Sequence, residues 1–427
     1  MKLVFLSAYC SLLLSSGLSA ENDQPILSLE VATRLALAAN PSLTAARAQW
    51  QAMKARVPQA AAWEDLSVSF QTRAGRFVEV PANSFTDDAL SLEQKIPLNG
   101  KNVSRAREAS AEAVAAYEQL RRVELDVRAQ TAAAYWRLAN AYAQLDLDRQ
   151  NETLLETAAD LSRARYEAGT QTQADVLAAT IERARLVENR ADLDRARADA
   201  RSALNVLLNR PPDSLLGQPF ALNGSAVIDP HLPAAPALDA LAMAYRPEVR
   251  LAQRRIEAAQ ARLQLTRRSW LPDPALRVNQ ERYNAAAQAI SEVDVGVTFT
   301  VPWLNAGKYR SETSEARAGV AQQTAALEQV RAQTLGLVFD ARTKAETFHR
   351  HFEVYRDEIL PLARQAVAAN RSGYENAKSS FADLIGSERT LRDAEAESLA
   401  HLADYHSATA ELAAIVGVDL GSLPAAK

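Results

Sequence analysis

Two stretches of the chain pair a tyrosine with an aspartate nine residues later, Tyr166 with Asp175 and Tyr374 with Asp383. Each pair brackets a break between two long helix-forming runs. A carboxylate just after such a break can bond the free N–H groups of a helix start, where the helix dipole favours negative charge. Histidines raise a second chemistry. His349 and His351 are two apart, which does not place them on one helical face, and antiparallel pairing with a later run would bring His351 level with His406, five residues after His401. No carboxylate or cysteine cluster completes a ligand set around them, so no metal site is expected. Catalysis lacks its parts as well: there is no phosphate-cradling glycine loop or zinc-binding histidine pair, and the serines lack a nearby histidine arrangement. The single cysteine, Cys10, lies in the apolar N-terminal stretch, so no disulfide, thiol nucleophile or cysteine metal site is expected in the mature chain. No cofactor is expected either.

The elements around these residues are long. Only 14 Gly and 17 Pro punctuate 427 residues, and aromatics are 6%, so composition favours extended helices over several compact domains. A net charge of −4 indicates no nucleic-acid partner and no polybasic membrane patch. Residues 1–20 have the form of an export signal: Lys2, an apolar run from Leu3 to Leu18, then Ser19 and Ala20 before Glu21. No later apolar run is long enough for a spanning helix.

A first repeat is expected over 21–210, with short helices, a strand pair at about 66–96 and a helical hairpin at about 101–209. Leu66, Val68 and Phe70 alternate with polar residues. The helical run after Lys101 is roughly 65 residues and near 100 Å long. Val103, Ala106, Ser110, Ala113, Tyr117 and Leu120 recur at coiled-coil spacing in it. Residues 211–240 are a proline-rich connector. A second repeat over 241–416 then follows, with strands at about 275–301 and a hairpin at about 307–416, before a tail at 417–427. Pro247 answers Pro41, Trp270 answers Trp63, Gly307 and Lys308 answer Gly100 and Lys101, and Leu412 answers Leu204, at an offset of 206 to 208. In the second hairpin Ala345, Phe348, Phe352, Tyr355, Ile359, Leu362 and Ala366 form a seam in which Pro361 should bend or weaken the helix.

Strands of about ten alternating residues suit the wall of a membrane barrel, but four of them cannot close one, since the smallest have about eight. Strands crossing lipid with open edges would force oligomerisation. Surface hairpins on a soluble protein satisfy the same pattern.

The export signal, the duplicated strand pair and hairpin, the segment Ile96-Pro97-Leu98-Asn99-Gly100-Lys101 and the turn from Tyr166 to Leu177 together resemble the outer-membrane efflux proteins typified by TolC. The Ile96 to Lys101 and Trp303 to Lys308 segments look most like the heavy-metal branch. The resemblance implies a mainly α chain with a small β part. It implies a homotrimer whose twelve-stranded outer-membrane barrel continues into a periplasmic α-helical barrel, with the connector and tail as a belt. It also implies a pore gate at the helical tip, carried over by position to Asp175, Asp383, Tyr166 and Tyr374, with aspartates that would favour cations. An arginine often helps lock that gate in the family, and Gln171 and Ser379 stand in its place. Gly169, Thr170, Gln171, Thr172, Ala174, Ala377, Ser379 and Ser380 would dock a periplasmic adaptor. The function implied is the passive outer-membrane duct of a tripartite efflux system, embedded in outer-membrane lipid and driven by an inner-membrane transporter such as an RND pump. The duct of a type I protein secretion system is the alternative within transport. A soluble periplasmic coiled-coil scaffold or adaptor is the alternative outside it, against which stand two hairpins and two strand pairs at a fixed offset.

Overall fold

A computed structural model describes residues 26–74, 87–169, 172–222, 232–284, 288–376 and 378–420. The export signal at 1–20, the loop with Gly75, Pro81 and Asn83, and the last seven residues lie outside these ranges. Four strands, β1 Ser67–Thr72, β2 Asp88–Lys95, β3 Pro274–Asn284 and β4 Ala289–Phe299, make one antiparallel sheet in the order β1-β2-β3-β4. The two strand pairs are therefore joined through β2 and β3. Register lines up their apolar side chains: Val68, Leu92, Val278 and Val295 form one row, Phe70, Leu90 and Val293 flank Gln280 in the next, and Leu276 faces Val297. Partners across a ladder share a face, so these side chains all point one way. The other face carries Ser69, Ser91, Asn279, Asp294 and the Arg277–Glu93 ion pair. The chain covers little of the apolar face, since Val68 is 61% and Val295 69% exposed.

Nine helices are described: α1 Leu29–Ala39, α2 Pro41–Ala61, α3 Lys101–Glu167, α4 Gln173–Leu207, α5 Ala235–Tyr245, α6 Pro247–Arg268, α7 Ala306–Val354, α8 Leu360–Glu375 and α9 Phe381–Val416. The 67 residues of α3 span about 100 Å. Close to the sheet the helices pack in the order α2, α3, α6, α7, and farther away α4, α3 and α9 lie side by side, with α9 against α7 and α8. Thus α4 prolongs α2, and α9 prolongs α6.

The two end-on junctions are built alike. Asn40 donates from Nδ2 to Leu207 O at 3.1 Å while its Oδ1 caps Ser42 N at 2.9 Å. Its counterpart Arg246 donates to Ile415 O at 3.1 Å and to Glu248 at 2.9 Å. Both residues are buried, and in both the following proline opens the next helix, where its missing N–H costs nothing. Gly417 has φ 87°, and a Cβ there would meet Tyr245 O at 2.8 Å, so only glycine lets the second junction close.

Three expectations need correction. A single seam does not describe α3, because helices flank it on both sides. Ala113 and Leu120 of the expected seam are buried, but so are Ser104 and Glu118 outside it, whereas Val103 and Tyr117 are 51% and 41% exposed. In the second hairpin the seam holds through Ala345 and Phe352, then moves by one position to Leu360, Ala363 and Val367. A π-turn at Tyr355–Ile359 causes the slip. Pro361 has no N–H to give, and the turn before it widens until Leu360 N–H reaches Tyr355 O, five residues back. Lastly, α5 begins inside the proline-rich connector, because Pro236 lies in the first turn and starts a helix there. The first part of the connector crosses the layer at Tyr135, whose hydroxyl donates to Leu27 O and accepts from Phe220 N, both at 3.0 Å.

An arginine at Val295 should block insertion of the sheet into lipid vesicles, since a charge on the lipid face of a barrel costs about 2–4 kcal/mol near the midplane. Asp294→Arg, on the polar face, should insert normally. Equal insertion of the two variants would mean that the valine row does not meet lipid.

Candidate functional site

The end of the helical layer away from the sheet consists of the two turns between α3 and α4 and between α8 and α9. At the first, Ala168 N–H and Gly169 N–H close the last turn of α3, and Gly169 takes φ 73°, where a side chain would be strained. Thr172 then caps α4. Its N–H and hydroxyl both donate to Asp175 Oδ2, at 3.3 and 2.8 Å. The second turn repeats this motif: Ser380 N–H and Oγ donate to Asp383 Oδ2 at 3.1 and 2.6 Å, and Asp383 N–H donates back to Ser380 Oγ at 3.1 Å. Both aspartates are thus the third residue of a capping box, which satisfies donors at a helix start. The Ser380 bonds hold the Asp383 carboxyl below the usual carboxylate range.

The twin tyrosines differ. Tyr374 is buried against Phe381, Leu384, Ile385 and Ala179, with its ring centroid 5.6 Å from that of Phe381, whereas Tyr166 is 45% exposed. Of the residues expected to dock a partner, Gly169, Thr172, Ala174 and Ser380 are exposed at the tip. Ser379 turns inward instead, and its Oγ donates to Asn370 O at 3.0 Å. Thr170, Gln171 and Ala377 fall outside the described residues.

Arginines do hold this tip, from positions that sequence reasoning missed. Arg165 lays its guanidinium 4.5 Å from the centre of the Tyr374 ring and donates to Tyr374 O at 3.2 Å, tying α3 to α8. Glu182 on α4, with its side chain 6% exposed, accepts from Arg389 on α9 through both carboxylate oxygens, with Arg392 at 3.6 Å and Arg185 at 3.5 Å. Burial pushes the Glu182 carboxyl up, but the Arg389 bonds and the three positive charges outweigh it, and the net shift is downward. Overlaying the repeats offered a signal, since Glu182 and Arg389 stand 207 apart, within the repeat offset. Beside this link lies a cavity of about 290 Å³, lined by Leu155, Leu186, Leu384 and Ile385 among others.

The histidines fall differently from expectation. His351 lies against His401, with ring centroids 4.9 Å apart, and His406 instead stacks on Trp136 of α3 at 4.2 Å. Burial pushes the His406 imidazole down to about 4. Among the described residues no group of three or more His, Cys, Asp or Glu is placed to hold a metal ion, and no helix is long and apolar enough to cross a membrane.

Comparison with known proteins fits this duplicated architecture. A family model described as outer membrane efflux protein matches twice, over residues 32–210 and 240–418. The cobalt-zinc-cadmium resistance protein CzcC of Cupriavidus metallidurans is 22% identical over 92% of this chain and 90% of its own. The toluene efflux pump outer membrane protein TtgF of Pseudomonas putida is 27% identical over 53% of this chain and 46% of its own. Among solved structures, CusC superposes with a TM-score of 0.78 at 16% identity, covering 94% of this chain and 96% of that one.

Three expectations follow. Arg389→Ala leaves a buried carboxylate short of partners, which costs about 1–3 kcal/mol. Amide exchange should quicken in α4 and α9 near the tip and stay unchanged near the sheet; uniform exchange would make the link an ornament. Because the Glu182 carboxyl is depressed when folded, its stabilisation is complete above its ordinary value of 4.5 and is lost as pH falls through the folded value, so acid should mimic Arg389→Ala. His406 is neutral when folded and takes up a proton more readily unfolded. Its contribution is therefore full above 6.5 and fades towards about 4, on the order of 3 kcal/mol in all. A His406→Gln variant should show a shallower loss of stability between those pH values in thermal melts.

Proposed function

The chain belongs to the outer membrane efflux protein family, and from that premise we propose that it is the passive exit duct of a tripartite efflux system. It is an outer-membrane protein with most of its chain in the periplasm. In this reading three copies pool their strands into one closed barrel, their helical layers continue the wall into the periplasm, and a periplasmic adaptor and an inner-membrane transporter such as an RND pump supply cargo and energy. The observation that carries the reading is the four-stranded sheet with one apolar and one polar face, joined to helices long enough to reach far beyond it. Lipid would meet the valine rows, and the polar face with Asp294 and Arg277 would line water.

At the far end the capped turns form the mouth. Asp175 and Asp383 would narrow it, Tyr166 and Tyr374 before them would help hold the tip helices together, and the exposed Gly169, Thr172, Ala174 and Ser380 would meet the adaptor, together with Thr170, Gln171 and Ala377. Two carboxylates from each chain would favour cations in the mouth. The Glu182–Arg389 and Arg165–Tyr374 contacts would hold one chain's hairpins together while it is closed. The cobalt-zinc-cadmium resistance protein CzcC is matched over 90% of its length, which favours divalent metal cations as cargo.

Protein extracted in detergent should have the mass of three chains and conduct ions across planar bilayers. A water-soluble monomer without conductance would overturn the duct reading. Asp175→Ala combined with Asp383→Ala should reduce cation selectivity, read from the reversal potential; an unchanged potential would place both carboxylates away from the pore. A deletion strain should become sensitive to cobalt, zinc or cadmium, and sensitivity to toluene alone would reassign the cargo.

A further inference from the structure

Where α3 leaves the sheet, the chain clamps itself. Lys101 Nζ donates to Leu271 O at 2.6 Å and pairs with Asp273 Oδ2 at 2.7 Å, and Asn99 Nδ2 donates to Pro272 O at 2.9 Å. Arg268 Nη1 reaches back to Gly100 O at 2.7 Å. These bonds join the start of the first hairpin to the turn between α6 and β3, its neighbour in the second repeat. Lys101 is only 16% exposed there, so the pair is substantially shielded from water and counts for more than a surface pair.

The duplication supplies both halves of a second clamp, on opposite edges of the chain. Asn305 and Lys308 stand where Asn99 and Lys101 do, at the start of α7 beside β4. That segment is two residues longer, and a 3-10 turn at Pro302–Asn305 takes up the difference. Asp65 stands where Asp273 does, each three residues before the matched apolar strand residues Val68 and Leu276, in the turn between α2 and β1. Within the chain neither has its expected partner. Lys308 is 57% exposed, with Glu312 at 3.8 Å as its nearby carboxylate, and among the described residues Asp65 has no ion-pair partner. Packing order explains why: α2 and β1 form one border of the molecule, α7 and β4 the other.

We propose that Lys308 of one copy clamps Asp65 of the next, repeating between chains the bond that Lys101 makes to Asp273 within one. The occupant of each border is thus a second copy of this chain, in a head-to-tail contact that closes into a ring. The inference rests on the three-copy reading above and adds to it a named contact at the junction of sheet and helices.

The test uses the full-length chain with Cys10→Ser as background. Asp65→Cys together with Lys308→Cys, treated with a short bismaleimide, should give covalent species of two and three chain masses, and either single variant should give none. Lys101→Cys with Asp273→Cys is the control and should link within one chain, adding the mass of one reagent and no second chain. A three-chain mass in detergent with no covalent oligomer would overturn the clamp and leave the ring standing. Failure to find a three-chain mass would overturn both. A charge swap provides an independent reading: Lys308→Asp and Asp65→Lys should each lower the temperature at which the oligomer dissociates, and the double variant should recover it. Additive loss in the double variant would count against the pair.

Discussion

Unpaired backbone groups on the outer edges of β1 and β4 set the terms for the molecule. The sheet has one apolar face and one polar face, so it suits the wall between lipid and water, yet a wall with two open edges cannot stand in lipid. That single requirement ranks the other features. The long helices cannot be judged as parts of one globular domain, because the layer they form has borders of its own, lying beneath the open strands. Exposed apolar side chains such as Val295 on a single chain mark a face that lipid would cover, and their exposure is no sign of poor packing.

Helix ends show a different use of the same economy. Each tip turn satisfies its own donors through a threonine or serine and an aspartate, so neither turn needs the other in order to form. The two hairpins are then held together by separate contacts, Arg165 on Tyr374 and Arg389 on Glu182. Local order and mutual attachment reside in different residues. An aspartate committed to a cap has less freedom to act elsewhere, which bears directly on any role given to Asp175 and Asp383 in a pore.

Much of the fold was legible in the residues. Strand alternation, the length of α3 and the matching of landmarks such as Pro41 with Pro247 are regularities of spacing, and spacing is what a sequence displays. Three things escaped it. The seam beyond Phe352 moved to Leu360 because a proline widens the turn before itself, a change of count that no fixed period anticipates. Val103 proved exposed because α3 has neighbours on two sides, and a period of three and four describes one. The tip arginines escaped because they were sought at Gln171 and Ser379, whereas the attachment runs between helices, where partners are set by the height of one rod against another.

The end-on junctions at Asn40 and Arg246 have a mechanical consequence. Two of the four columns in each chain, α3 and the run from α7 through α8, are unbroken, and the other two are stacked from separate helices that meet at a few hydrogen bonds. Unbroken columns behave as leaf springs, storing bending along their whole length, and jointed columns behave as hinges. Torsion applied at the tip would travel up α3 as elastic strain, while α4 and α9 swivel at their joints and leave α2 and α6 at rest against the sheet. Of the two kinds of column, only the unbroken ones would then carry movement at the tip up to the sheet.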